Sequence, residues 1–287
     1  MGPWTDLGDG VRVRQSAAFR MNSALLLDAE HAVIVDPGVL PSELDDLARA
    51  VAEAAPAAVT LVLTHAHWDH VLGRPWWPDA ATLAHDRVAA ELRRDGAHIE
   101  SEARSLAEQH GERWPAPFRP FRPDTEVSGL RFTKLGPWRT VFRDAPGHCD
   151  SQLSLHLPER GLFIAADMLS DIEIPTLSGP CAPYVATLEE LRPIFEGGAV
   201  ETLVPGHGAI ARGRQAALDR LLADLDYLHA LDSGVRAARR QGLPLAAARE
   251  RLAAMEYTGK RSSVYPTEEL HLENIQLAYE GTTAAAG

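Results

Sequence analysis

His65, His67, Asp69 and His70 fall within six positions of the stretch "LVLTHAHWDHVLG", residues 61–73. Imidazole nitrogens and carboxylate oxygens are ligands suited to zinc, and also to manganese or iron. His65 and His67 are two apart, and on an extended segment such positions point the same way. Both can therefore face one centre. Asp69 and His70 follow where the chain turns toward a helix, and they can face a second centre close by. A lone histidine at a strand end is usually a surface or hydrogen-bonded residue; the density of ligand types sets this stretch apart.

Further ligand types recur at the ends of apolar runs: Asp36 in "VIVDPG", His148 in "DAPGHCDS", Asp167 in "FIAADML" and His207 in "LVPGHG". Each adjoins a turn, and Gly147, Gly206 and Gly208 give the backbone freedom beside them. His31, His85, His98, His110, His156 and His229 lack that context and read as surface or packing residues.

The elements that must position these side chains can be read from periodicity. "VRVRQ" alternates as a half-buried strand does, and "NSALLLDAE" with "HAVIVDPG" reads as a hairpin. "PSELDDLARAVAEA" has helical spacing of Leu44, Leu47 and Val51, with Ser42 as the expected N-cap. "AAVTLVL" is a short buried strand that ends at the histidine cluster, which places the cluster on a strand-exit loop. "ATLAH" reads as a strand and "DRVAAELRRDG" as a helix. Residues 97–113 read as a polar helix, and "WPAPFRPFRPDTEV" is too rich in proline for regular structure. "GLRFTKLG", "TVFRDAPG", "QLSLHLP" and "GLFIAAD" read as strands, "TLEELRPIFEGG" as a helix and "ETLVPGHG" as a strand and turn. From Ala211 onward the chain is helix-forming, broken at Gly242 and Pro244, with a frayed tail "TTAAAG". Strands in two batches, each closed by helices, predict two packed sheets with helices outside. The expected division is a catalytic domain over residues 1–210 and a helical C-terminal region over 211–287.

Composition narrows the function. The chain has 287 residues and a formal net charge of −12. So acidic a surface has no broad attraction for phosphate backbones, which argues against nucleic-acid binding. An anionic substrate would need a local positive centre, such as bound metal. Cys149 and Cys181 form no CxxC pair, so neither a zinc ribbon nor a redox motif is expected. The N-terminus lacks the apolar core of a signal peptide, and no apolar run approaches the roughly 20 residues that span a bilayer. The expectation is a cytoplasmic enzyme with a small-molecule substrate, no membrane partner, and room for a homo-oligomer.

"THAHWDH", followed in order by "PGH", "AAD" and "PGHG", resembles the HxHxDH signature and downstream motifs of the metallo-β-lactamase-fold hydrolase superfamily, and "VDPG" resembles its first motif. The likeness runs from about Asn22 to Gly208. It implies an α/β fold, a four-layer αββα sandwich with a helical C-terminal extension. It also implies two divalent metal ions, zinc expected and iron or manganese as alternatives. Carried over by position, His65, His67 and His148 would hold one ion and Asp69, His70 and His207 the other. Asp167 would bridge them, and Asp36 would steady a ligand. The layout is similar to the glyoxalase II-like group. It departs from that group after His148, where Cys149, Asp150 and Ser151 replace a Thr-Pro-Gly run.

The activity implied is hydrolysis of a carbonyl substrate, a thioester, ester or lactone, with Asp69 orienting the attacking hydroxide. Two divalent cations against Asp69 and Asp167 leave the positive centre that an acidic protein needs. The alternative within the same superfamily is a persulfide dioxygenase with one iron at His65, His148 and Asp167. Trp68, Trp76, Trp77 and Tyr184 are open to either packing or substrate contact, and residues 98–123 to a helical flap. Cys149 reads as a packing residue, Asp150 as a turn cap, and His271 with Asn274 as a helix-packing or dimer face.

Overall fold

The computed structural model describes residues 4–255 and 264–282. Of the frayed tail expected over residues 282–287, residues 283–287 lie outside them. The chain divides into two compact units, residues 1–144 with 151–159, and residues 145–150 with 160–287.

The first unit is built on a seven-stranded sheet in sequential order. Its strands are β1 (Trp4–Gly8), β2 (Val11–Gln15), β3 (Asn22–Leu27), β4 (His31–Val35), β5 (Ala58–Val62), β6 (Ala81–His85) and β7 (Thr125–Val127). Pairing is antiparallel from β1 to β4 and parallel from β4 to β7. β3 and β4 are buried almost continuously, which explains their near-unbroken apolar runs. Leu25, Ile34 and Leu61 of this sheet share a core with Leu44 and Leu47 of α1 (Pro41–Ala54) and with Val88 and Leu92 of α2 (Val88–Gln109). The same unit contains β8 (Arg131–Leu135), β9 (Trp138–Asp144) and β10 (Leu153–Leu157), paired antiparallel in that order.

The second unit contains β11 (Leu162–Ile164), β12 (Thr202–Val204) and β13 (Ala211–Arg212), with β11 and β12 parallel and β12 and β13 antiparallel. Its helices are α3 (Cys181–Glu196), α4 (Arg214–Arg240), α5 (Leu245–Leu252) and α6 (Thr267–Gly281). Phe163, Leu188, Phe195, Leu221, Leu228 and Ile275 join strands and helices in one core.

Several local expectations are corrected. α1 is capped at Leu40 with Pro41 in its first turn, not at Ser42, whose hydroxyl instead donates to Glu112 at 2.7 Å. Pro41 sets the helical φ without a donor to lose, so it outcompetes the serine. Residues 88–109 form one helix that runs through Gly96, not two. The burial of Ile99, Ala103 and Leu106 offsets the glycine's poor propensity. The end of the proline-rich stretch pairs as β7. Among the described residues, no helix is long and apolar enough to cross a membrane.

Candidate metal centre

In the first unit, β5 ends at Val62, and residues 63–70 carry the ligand types away from the sheet edge. A short 3-10 turn, Trp68–His70, redirects the chain. It brings the ring of His65 to 4.6 Å from that of His67 and 4.1 Å from that of His70, measured between centroids. His65 and His70 are fully buried, whereas His67 is exposed. Asp69 Oδ2 lies 3.6 Å from His70 Nε2.

One carboxylate orients both buried rings, His70 directly and His65 through Thr64. Asp36 Oδ2 lies 2.9 Å from His70 Nδ1, so that nitrogen carries the hydrogen and donates it. The same carboxylate accepts the Thr64 hydroxyl at 2.6 Å and the Thr64 N–H at 2.8 Å. Thr64 has a single hydroxyl hydrogen, already given to Asp36. Its oxygen, 3.0 Å from His65 Nδ1, therefore accepts from that ring. Both imidazoles are fixed with the hydrogen on Nδ1 and the lone pair on Nε2, the arrangement that an outer partner imposes on a metal-ligating histidine.

In the second unit, Asp167 follows β11 and stands between two histidines. Its Oδ2 is 3.4 Å from His148 Nε2 and its Oδ1 is 3.6 Å from His207 Nε2. These separations are too long for hydrogen bonds. They suit donors that share an ion, since ligand atoms around a tetrahedral zinc lie about 3.4 Å apart. Each carboxylate oxygen faces one imidazole. The residues thus fit divalent metal ions on the chemistry and spacing of their donors.

Close packing holds these loops. A Cβ at Gly206 would lie 2.0 Å from Asp167 Oδ1, so only glycine allows β12 to exit beside that carboxylate. A Cβ at Gly147 would lie 2.3 Å from Tyr184 Cβ. Tyr184 is fully buried and its hydroxyl donates to the Asp167 carbonyl at 3.1 Å. It packs against the loops that carry His148 and Asp167. Burial, with Glu173 and Asp167 adding to it, pushes its phenol well above the usual value.

Sequence reasoning did not find several supports. Thr64 precedes His65 directly, and a buried threonine just past a strand needs a hydroxyl partner, which was the available signal. Thr176 Oγ1, 2.6 Å from His148 Nδ1, is 28 residues from it and gives no local signal. Asp224 accepts the Leu169 N–H at 2.9 Å, and Arg220 donates to the Leu169 carbonyl at 3.2 Å; together they fix the loop after Asp167. The ring of Tyr265 meets that of His207 edge-on at 5.6 Å. Cys149 is buried, as expected of a packing residue. Residues 98–109 continue α2, whose inner face packs in the unit's core rather than forming a separate flap.

A family model described as metallo-beta-lactamase superfamily matches residues 18–224. Acyl-coenzyme A thioesterase MBLAC2 of Gallus gallus is 26% identical over 205 residues, 66% of this chain and 72% of that one. The Homo sapiens protein of the same name is 26% identical over 224 residues, 70% of this chain and 79% of its own. The inverting sec-alkylsulfatase Pisa1 from Pseudomonas sp. superposes with a TM-score of 0.75 at 13% identity, covering 100% of this chain and 51% of that one. This chain thus spans about half the length of the alkylsulfatase. A metallo-beta-lactamase family protein from Thermus thermophilus superposes with a TM-score of 0.65 at 18% identity, covering 94% of each chain. These likenesses show an α/β fold of mixed sheets flanked by helices, with further helices at the C-terminus.

Proposed function

The chain belongs to the metallo-beta-lactamase superfamily, and from that premise we propose that it is a metal-dependent hydrolase of acyl thioesters with a dinuclear centre. The observation that supports the metal reading is the Asp36–Thr64–His65 and Asp36–His70 network, which ties Nδ1 of two buried imidazoles to protein acceptors and leaves Nε2 as the atom each would offer an ion. In this reading, carried over from the family's motifs, His65, His67 and His148 would hold one ion, Asp69, His70 and His207 would hold the other, and Asp167 would serve both. When bound, divalent ions there supply Lewis acidity toward a carbonyl and water that is acidic enough to be a nucleophile near neutral pH.

The chain's own groups do the remaining work. Asp69 accepts a hydrogen bond from the attacking water and orients it toward the carbonyl carbon. His67 is the exposed member of the set. Asp36 and Thr64 keep the buried rings from rotating, so their lone pairs stay aimed. No serine or cysteine nucleophile is required. The thioester assignment is supported by relatives named acyl-coenzyme A thioesterases and by the leaving-group chemistry, since a thiolate leaves without general-acid help.

The test is metal analysis of protein purified without added metal, paired with turnover assays on acyl thioesters, lactones and β-lactams. About two divalent ions per chain and fastest turnover on thioesters are expected. One iron per chain with thiol-dependent oxygen uptake would replace this reading with the persulfide dioxygenase.

A further inference from the structure

We infer that Asn274, on the C-terminal helix α6, is a positioning residue for His148 and acts through Thr176. The inference rests on the reading of His148 as a metal ligand. Residues 175–177 belong to no helix or strand, so their backbone groups lack ladder partners. Asn274 supplies them. Its Nδ2 donates to the Pro175 carbonyl at 2.7 Å, and its Oδ1 accepts the Leu177 N–H at 2.9 Å. A carbonyl can only accept and an N–H can only donate, so the carboxamide has one allowed orientation. The two bonds grip the chain on either side of Thr176. Thr176 Oγ1 in turn lies 2.6 Å from His148 Nδ1, while His148 Nε2 faces Asp167.

Asn274 is itself held. Its side chain is buried, and Nδ2 also donates to the Tyr227 hydroxyl of α4 at 2.8 Å. That hydroxyl lies 3.0 Å from His271 Nδ1, and His271 Nε2 donates to the Leu252 carbonyl at 3.0 Å. Helix packing alone would be served by a leucine at position 274. A buried amide that brackets a single threonine indicates that α6 sets the geometry of the ligand loop.

The experiment titrates zinc into metal-free, full-length protein in competition with a chromophoric chelator, with melting temperature recorded for each variant. Asn274→Leu and Thr176→Val should each weaken zinc binding about 10–100-fold. The double variant should bind no worse than Thr176→Val alone, because the two act in series. Thr176→Ser should restore affinity. Tyr227→Phe, which removes the bond that holds Asn274 but leaves both grips on residues 175 and 177, should lower the melting temperature and weaken zinc binding less than Asn274→Leu does. Asn274→Asp keeps the acceptor for Leu177 and loses the donor for Pro175, so it gives an intermediate loss even if Asn274→Leu does not fold. Unchanged zinc affinity in Asn274→Asp or Asn274→Leu would overturn the inference, as would an equal loss in Tyr227→Phe. His148→Ala is the separate check on the underlying reading. Undiminished zinc binding there would overturn the ligand assignment and this inference with it, whereas a loss there with none at Asn274 overturns the inference alone.

Discussion

Asp36 Oδ2 lies 2.9 Å from His70 Nδ1, and Asp36 holds this position with a backbone φ of 48°. A non-glycine residue in the left-handed region is strained, by roughly 1–3 kcal/mol, and such strain persists only where the surroundings enforce it. Here the Asp36 N–H donates to the Val62 carbonyl at 3.0 Å, and the carboxylate collects Thr64 and His70. The strain falls on the residue that orients Thr64 and His70.

Replacing Asp36 tests that arrangement. Asp36→Ala should weaken divalent-metal binding about 10–100-fold, because both His65 and His70 lose the group that orients them. Asp36→Asn should fall between the variant and the parent, since an amide oxygen can still accept from Thr64 or His70 but not from both as strongly. Chelator competition reads the affinity directly. Parental affinity in Asp36→Ala would show that the rings hold their orientation without this carboxylate.

A steric test concerns Asp167. Gly206→Ala would set a methyl group 2.0 Å from Asp167 Oδ1 and 3.0 Å from the Ala166 carbonyl oxygen. The carboxylate must swing away, and a displacement of about 1 Å at a reacting centre can cost about 100-fold in rate. Turnover is expected to fall by at least that factor, with metal content reduced. Gly179→Ala is the control: its Cβ meets nothing within 4 Å, so activity should not change. Equal activity in the two variants would mean that Asp167 is not confined by Gly206.

How much of this was legible depends on chain separation. The ligand types could be read because each ends a buried apolar run, and sheet edges concentrate such residues. Asp36 was legible as a ligand type because "VDPG" ends an apolar run, but its supporting role came only from the resemblance. Thr176 and Asn274 were not, because the bonds that connect them to His148 and to Leu177 span 28 and 97 residues. No periodicity carries that information. Ser42 misled for the opposite reason: a strong local capping preference yielded to Pro41 one residue earlier, and a distant glutamate took the hydroxyl. Tyr184 was ambiguous in sequence because an aromatic residue on a helix fits both a pocket and a core, and only the close approach of Gly147 distinguishes them.

The C-terminal network has a pH signature. Burial lowers the pKa of His271 from its usual 6.5, with the Leu252 carbonyl acting in the opposite sense. Above pH 6.5 the ring is neutral in both folded and unfolded chains, and its contribution to stability is complete. As pH falls below that value the unfolded chain takes up a proton first. Stability is then lost until the lower native pKa is passed. Denaturant midpoints measured downward from neutral pH should fall more steeply for the parent than for His271→Gln, which cannot titrate. Parallel slopes would show that His271 binds its proton equally in both states.

The last prediction separates a two-metal enzyme from a one-metal enzyme at Asp69. Its Oδ2 sits 3.6 Å from His70 Nε2, a separation that suits two donors to one ion. In the proposed hydrolase Asp69 both holds the second ion and orients the attacking water. In a single-iron dioxygenase, with the metal on His65, His148 and Asp167, it would hold nothing. Asp69→Ala should therefore take the metal content from about two ions per chain to about one, and lower turnover by several powers of ten, because positioning and charge stabilisation are lost together. His65→Ala damages either enzyme and discriminates nothing. Circular dichroism on Asp69→Ala establishes that the fold is intact before metal and rate are compared. A full metal complement with near-parental thioester turnover would sink the two-metal mechanism, and would leave the ordered run from His65 to His70 to be explained by its first members alone.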